Sequence, residues 1–189
     1  HGPLVVTLTN ARSGHLVPTG DPERHLRVEA RAVDASGAVL GRDLRRIGQR
    51  WDWGDDATGR PAKRLVDDRL RPGESVAWRP VLDLTGADRV VVEVVSVRLA
   101  PDTARWLSGV ALPPDPGGLD LALDAVVAEV GPSLAAVDRV YPLATVVFRE
   151  TAPLDGRPPE IVPLDALLAE SAAAASLPLD DKAARYAVP

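Results

Sequence analysis

Residues Asn10 to Val33 read NARSGHLVPTGDPERHLRVEARAV, and the fold turns on this stretch. From His25 to Val33 it alternates, with Leu26, Val28, Ala30 and Ala32 set against Arg27, Glu29 and Arg31. A period of two predicts a half-buried β-strand. The same parity places His25 among the charged, solvent-facing residues. The preceding part, Asn10 to Arg24, concentrates Gly14, Pro18, Gly20 and Pro22. An apolar run, Pro3 to Thr9, leads into it. Two strands joined by more loop than a hairpin turn needs is a setting in which binding residues usually sit.

Outward from there, Asp34-Ala-Ser-Gly37 signals a turn and Ala38 to Leu44 a return strand. Arg45 to Val66 reads as an irregular excursion over one sheet edge, with Trp51 and Trp53 packing back. Arg71-Pro-Gly-Glu74 is a tight turn before a strand over Ser75 to Asp83, which Pro80 assigns to an edge. Arg89 to Leu99, apolar on nearly both faces, is the expected central strand. Pro101 to Leu107 suits a short helix, Leu119 to Val130 a helix or a strand, and Pro132 to Val140 a helical turn. Leu143 to Arg149 reads as a strand and Pro163 to Ala175 as a helix, followed by a docked or frayed tail. The chain is thus expected to be all-β, an antiparallel, immunoglobulin-like β-sandwich with short helices appended in the C-terminal half. The expected organisation is a sandwich core over 1–112, an extension packing on it over 113–150, and a Pro/Ala-rich tail with a short helix over 151–189.

Composition narrows the function. A net charge of −5 and a pI near 5.2 give no electrostatic case for nucleic acid or an anionic membrane. No apolar stretch approaches the length of a membrane span. Without cysteine there is no disulfide, thiolate metal site, catalytic thiol or covalent c-type haem. Methionine is absent too, even at position 1, which reads as a trimmed chain. An exported protein, periplasmic or extracellular, is the expectation.

No nucleophile elbow, phosphate loop, dinucleotide fingerprint or zinc-protease motif occurs, so the chain reads as non-enzymatic. The adjacent pairs Asp55/Asp56 and Asp67/Asp68 read as solvated loop charge. All three histidines fall within the first 25 residues. His15, between Gly14 and Pro18 on the loop, suits ligation of a metal or a hydrogen bond that pins the loop. His25 reads as an exposed strand residue. If His1 is a mature N-terminus, its amine and ring can chelate copper, with His15 or His25 completing a histidine brace. That alternative carries the one enzyme reading, a copper-dependent oxidase-like activity. A second alternative is a protein- or glycan-binding scaffold using Trp51, Trp53 and the arginines between Arg42 and Arg50. The remaining loop residues have structural roles open to them. Thr19 and Asp21 can bond backbone groups, Asn10 can end the first strand, and Arg24 can pair with Asp21 or cap a carbonyl.

The set Asn10, Gly14-His15, Pro18-Thr19-Gly20, Pro22 and Arg24 resembles a loop in a β-sandwich domain of exported multihaem c-type cytochromes, where N…GHxxPTG leads into an L-x-V strand. A later D-x-R-L-x-P-G-E segment of that family is matched here by Asp67-Asp-Arg-Leu-Arg-Pro-Gly-Glu74. The two matches lie in the right order and together cover about the first hundred residues. The resemblance implies a haem-free module assembled with a haem-bearing cytochrome chain or domain, His15 contacting or ligating a haem iron. It departs from the family in having no Cys-x-x-Cys-His motif.

Overall fold

Alternation of apolar and polar side chains makes one sheet face sticky, and a chain with several such strands must close those faces on one another. The computed structural model describes residues 4–20, 24–55, 58–59, 61–98 and 144–175. Its strands are β1 (Val6–Thr9), β2 (His25–Val33), β3 (Val39–Asp55), β4 (Pro61–Asp67), β5 (Ser75–Trp78), β6 (Arg89–Val97), β7 (Ala144–Pro153) and β8 (Glu160–Ile161), and they precede helix α1 (Leu164–Ala175). Among the described residues one sheet runs β4-β3-β2-β6-β7-β8 and a second pairs β1 with β5, every pairing antiparallel. The fold is all-β and sandwich-like, as the alternation predicts. The large sheet also draws β7 and β8 from beyond residue 112. The helices expected between Pro101 and Val140, and the tail after Ala175, lie outside the described residues.

The sandwich core forms where the two sheets face each other. Val28, Ala30, Ile47, Val90, Val92 and Val94 of the large sheet are buried with Leu70, and Val6, Leu8, Val76 and Trp78 pack onto them from the small one. Val6 stands opposite Trp78 and Leu8 opposite Val76, so inward pairs match across that ladder. The small-sheet strand expected over Ser75 to Asp83 stops at Trp78, although burial keeps alternating through Leu84. β6 lies between β2 and β7, the central place that its double-sided apolar pattern foretells.

Two corrections concern length and burial. Residues 45–66 are not an excursion: β3 continues to Asp55 and pairs with β4 over Gln49 to Asp67. The change of partner falls at Gly48, which stands opposite His25 at the start of β2. There the backbones come so close that a Cβ would lie 2.9 Å from His25 Cβ and 3.0 Å from the Arg24 carbonyl oxygen. Side chains of residues 51–57, the two tryptophans included, lie outside the described set.

The second correction is that β2 is not half-buried. His25 (7% exposed), Arg27 (4%) and Glu29 (6%) are as buried as their apolar neighbours. Their face of the sheet is the one whose β6–β7 portion carries α1, with Val95, Val97, Ala144, Val146 and Leu167 forming a second apolar cluster. A bulge makes this layer possible. The β6–β7 register slips between Val94 and Val95, so that Phe148 and Val146, two residues apart, serve opposite faces. The charges are tolerated because they compensate one another. Glu29 and Glu93 stand directly opposite across β2 and β6, a repulsive arrangement if left alone. Arg31 reaches both, at 4.0 and 3.6 Å, and Arg27 lies 3.5 Å from Glu29. Arg149, opposite Glu93 on β7, binds it at 2.6 Å and extends to Glu170 of α1 at 2.8 Å. Those carboxylates, Glu170 first, raise the affinity of the Arg149 guanidinium for its proton. The Val146 amide adds a hydrogen bond to Ser171 Oγ at 2.9 Å.

Replacing Arg149 with Ala strands Glu93 as a buried, under-compensated carboxylate and unties α1. A loss of about 2–3 kcal/mol is expected in urea unfolding, below the range for a fully buried pair because Arg149 is part exposed. Gly48→Ala is expected to cost about 1–3 kcal/mol through overpacking against His25, read in the same assay.

Candidate functional site

The loop from Asn10 to Arg24 is organised by its first residue. Asn10 is 5% exposed, and each of its polar groups is bonded. Its Nδ2 donates to the His15 carbonyl at 2.8 Å and to the Leu70 carbonyl at 3.1 Å. Its Oδ1 accepts from the Ser13 amide at 3.2 Å, a short side-chain turn that bends the chain toward His15. Its own amide donates to the Glu74 carbonyl and its carbonyl accepts from the Gly73 amide, at 2.9 and 2.8 Å. Val17 and Leu70 then exchange two backbone hydrogen bonds, each 2.9 Å, as an isolated bridge. The loop is therefore pinned before and after His15 to one segment, Asp67 to Glu74.

That segment is held just as firmly. Glu74 Oε2 accepts from the Arg71 amide at 2.7 Å and closes the turn in which Gly73 takes a φ of 76°. Asp68 Oδ1 accepts from the Gly48 amide at 2.7 Å and its Oδ2 lies 3.3 Å from Arg50. Asp67 accepts from Arg69 Nη2 at 2.6 Å and Nε at 2.8 Å. Neither aspartate is loop charge idling in water, as their adjacency suggests. The Arg69 side chain, then its amide and charge, hold the Asp67 carboxyl at about 2.

On this base sits His15. Its ring is exposed, Gly14 before it has nothing within reach of an added Cβ, and Pro18 is partly buried after it. Nδ1 lies 2.8 Å from Ser13 Oγ and 3.0 Å from the Leu16 carbonyl oxygen. Thr19 and Gly20 are exposed, and the Arg24 side chain folds over Gly20, where any Cβ would collide with Arg24 Cδ. Gly20 takes a φ of 118°, a backbone conformation that favours glycine. His25 is separated from His15 in environment: buried in β2 where His15 is in solvent. Its assignment to the exposed face is overturned by its burial, at 7% exposure. His1, Asp21 and Pro22 lie outside the described residues. Among those described, no three His, Cys, Asp or Glu side chains gather as a metal site. No helix among them is long and apolar enough to cross a membrane.

Ser13 was not singled out by the sequence, though a serine two residues before a histidine is a usable signal for side-chain to backbone bonding. Leu70 was equally hidden, since its role lies in its carbonyl.

No protein-family model and no curated protein matches the chain. Among solved structures it is similar to a penta-haem cytochrome c552 from Thermochromatium tepidum, at 25% identity and a TM-score of 0.36. The match takes in 51% of this chain and 32% of that one, so the chain spans about a third of the cytochrome.

Asn10→Ala removes the buried amide that serves both carbonyls, and a loss of about 2–3 kcal/mol is expected in chemical unfolding. The Ser13 amide should then exchange hydrogen faster than in the parent. Asp67 gives a pH signature. Its folded value, about 2, lies below the ordinary 3.8, so its contribution is full above 3.8 and is lost as pH falls toward 2. The carboxylate is exposed enough that solvent screening limits this to roughly 0.5 kcal/mol. Acid titrations of stability should show a shallower slope in that window for Asp67→Asn.

Proposed function

We propose that this chain is a non-catalytic, exported β-sandwich module that presents His15 to a haem-bearing electron-transfer partner. One observation carries the reading: an exposed imidazole on a loop pinned on both sides of it, by Asn10 and by the Val17–Leu70 bridge. Docking a side chain costs the entropy of whatever must be ordered. Here the backbone is ordered by folding, so little beyond the imidazole rotamer is left to fix. The pairing of the Asn10 loop with the Asp67–Glu74 segment gives the two stretches that resemble the cytochrome-associated domain a common structural reason.

The residues fit one way of meeting haem and not another. A chain without cysteine cannot attach c-type haem covalently, and no described cluster of ligands stands ready for a resident metal. A single outward imidazole fits one axial position on an iron held by a partner. The iron supplies the redox chemistry when it is bound there. The chain supplies position: His15 the nitrogen, Asn10 and Leu70 the anchoring of the loop, and Gly20 with Arg24 the closure of its far end. A copper brace needs His1 and a second imidazole, and of the two candidates only His15 is exposed.

A ferric haem peptide with one open axial position tests this in solution. The protein should convert its spectrum from high spin to low spin, and His15→Gln should not. An unchanged spectrum with the parent protein at saturating concentration overturns the reading.

A further inference from the structure

The polar atoms around His15 determine which ring nitrogen carries the proton. Leu16 contributes a carbonyl oxygen, which can only accept, and it lies 3.0 Å from Nδ1. Ser13 Oγ lies 2.8 Å from the same nitrogen. The hydroxyl proton has its own destination, the His15 carbonyl at 3.2 Å, and Oγ accepts from the His15 amide at 3.3 Å. One assignment satisfies all four contacts: the hydroxyl donates to the carbonyl, and Nδ1–H donates to Oγ and the Leu16 oxygen. Nε2 is then left with a lone pair. Among the described residues it has no hydrogen-bond partner, and the ring is exposed.

We propose that the Leu16 carbonyl, which can only accept, selects the Nδ1–H tautomer of the neutral His15 ring, with Ser13 the positioning residue that holds the ring against it, so that Nε2 faces outward as an electron-pair donor. This rests on the reading of His15 as the contact residue and sharpens it. The group presented is a ligand for a borderline metal centre with one open position, not a hydrogen-bond donor. Second-shell bonding of the distal ring nitrogen is the usual way in which a protein prepares an imidazole for a metal.

Nitrogen-15 NMR of the metal-free full chain, in alkaline buffer where imidazole is neutral, reads the tautomer directly. The parent should show a protonated Nδ1 and a bare Nε2. Ser13→Ala should move the ring toward a mixture, and Ser13→Thr, which keeps the hydroxyl, should restore the parent pattern. Affinity for the same ferric haem peptide should fall about 10-fold in Ser13→Ala and recover in Ser13→Thr. A protonated Nε2 in the parent, or an unchanged ring in Ser13→Ala, overturns the proposal. A correct tautomer with no haem-peptide binding leaves the role of Ser13 standing and removes the haem partner instead.

Discussion

The buried amide of Asn10 is the interaction on which the loop and its neighbour depend. A carboxamide has two donors and an acceptor, and at 5% exposure each must find a partner inside the protein or cost the fold its desolvation. The partners are the carbonyls of His15 and Leu70 and the amide of Ser13. One side chain thereby sets the path of the loop, its attachment to a segment remote in sequence, and the place of Ser13, two residues before His15. An alanine there could end β1 equally well, but it could not tie these three points together. The rigidity of the site is thus a consequence of hydrogen-bond satisfaction rather than of packing.

A second constraint works on the opposite side of the large sheet. The charges of β2 are sequestered in a layer with Glu93, Arg149 and Glu170, and its three arginines offset its three glutamates. Such a layer is poor as a source of stability, because desolvation cancels much of the Coulomb gain. Its effect is on arrangement: Glu93 and Glu29 can be neighbours only in the register that brings Arg31 and Arg149 alongside them. The same guanidinium that balances Glu93 also reaches Glu170, so strand register and helix seating are specified together.

Much of the framework was legible in the sequence, and for a local reason. β2 has the bounds that its alternation predicts, β6 has the central place that its valines predict, and α1 falls within the Pro163 to Ala175 stretch. The turns at Asp34 and Arg71 are also where glycine and short polar side chains put them. What went astray was whatever depended on another part of the chain. The tryptophan-bearing stretch after Arg45 looked irregular because Gly48, Gly54 and the charges break its period. It is nonetheless a strand, because β4 supplies a ladder for it. In the site, His15 and its loop stood out by their glycine and proline setting. Ser13 and Leu70 did not, since one acts through a short hydroxyl contact and the other through its backbone.

The sequence by itself determined the strand periodicity, the turn positions, the absence of cysteine and the glycine- and proline-rich loop that carries His15. These follow from residue type and near-neighbour spacing. Only the tertiary structure decided that His25 is buried while His15 is exposed, that the charged face of β2 lies inside, and that Asp67 and Asp68 are structural acceptors. It also decided that Asn10 joins its own loop to the Asp67–Glu74 segment. Burial and partnership are properties of pairs brought together from distant parts of the chain. A period of two records that a strand has two faces, but not what comes to cover the second one.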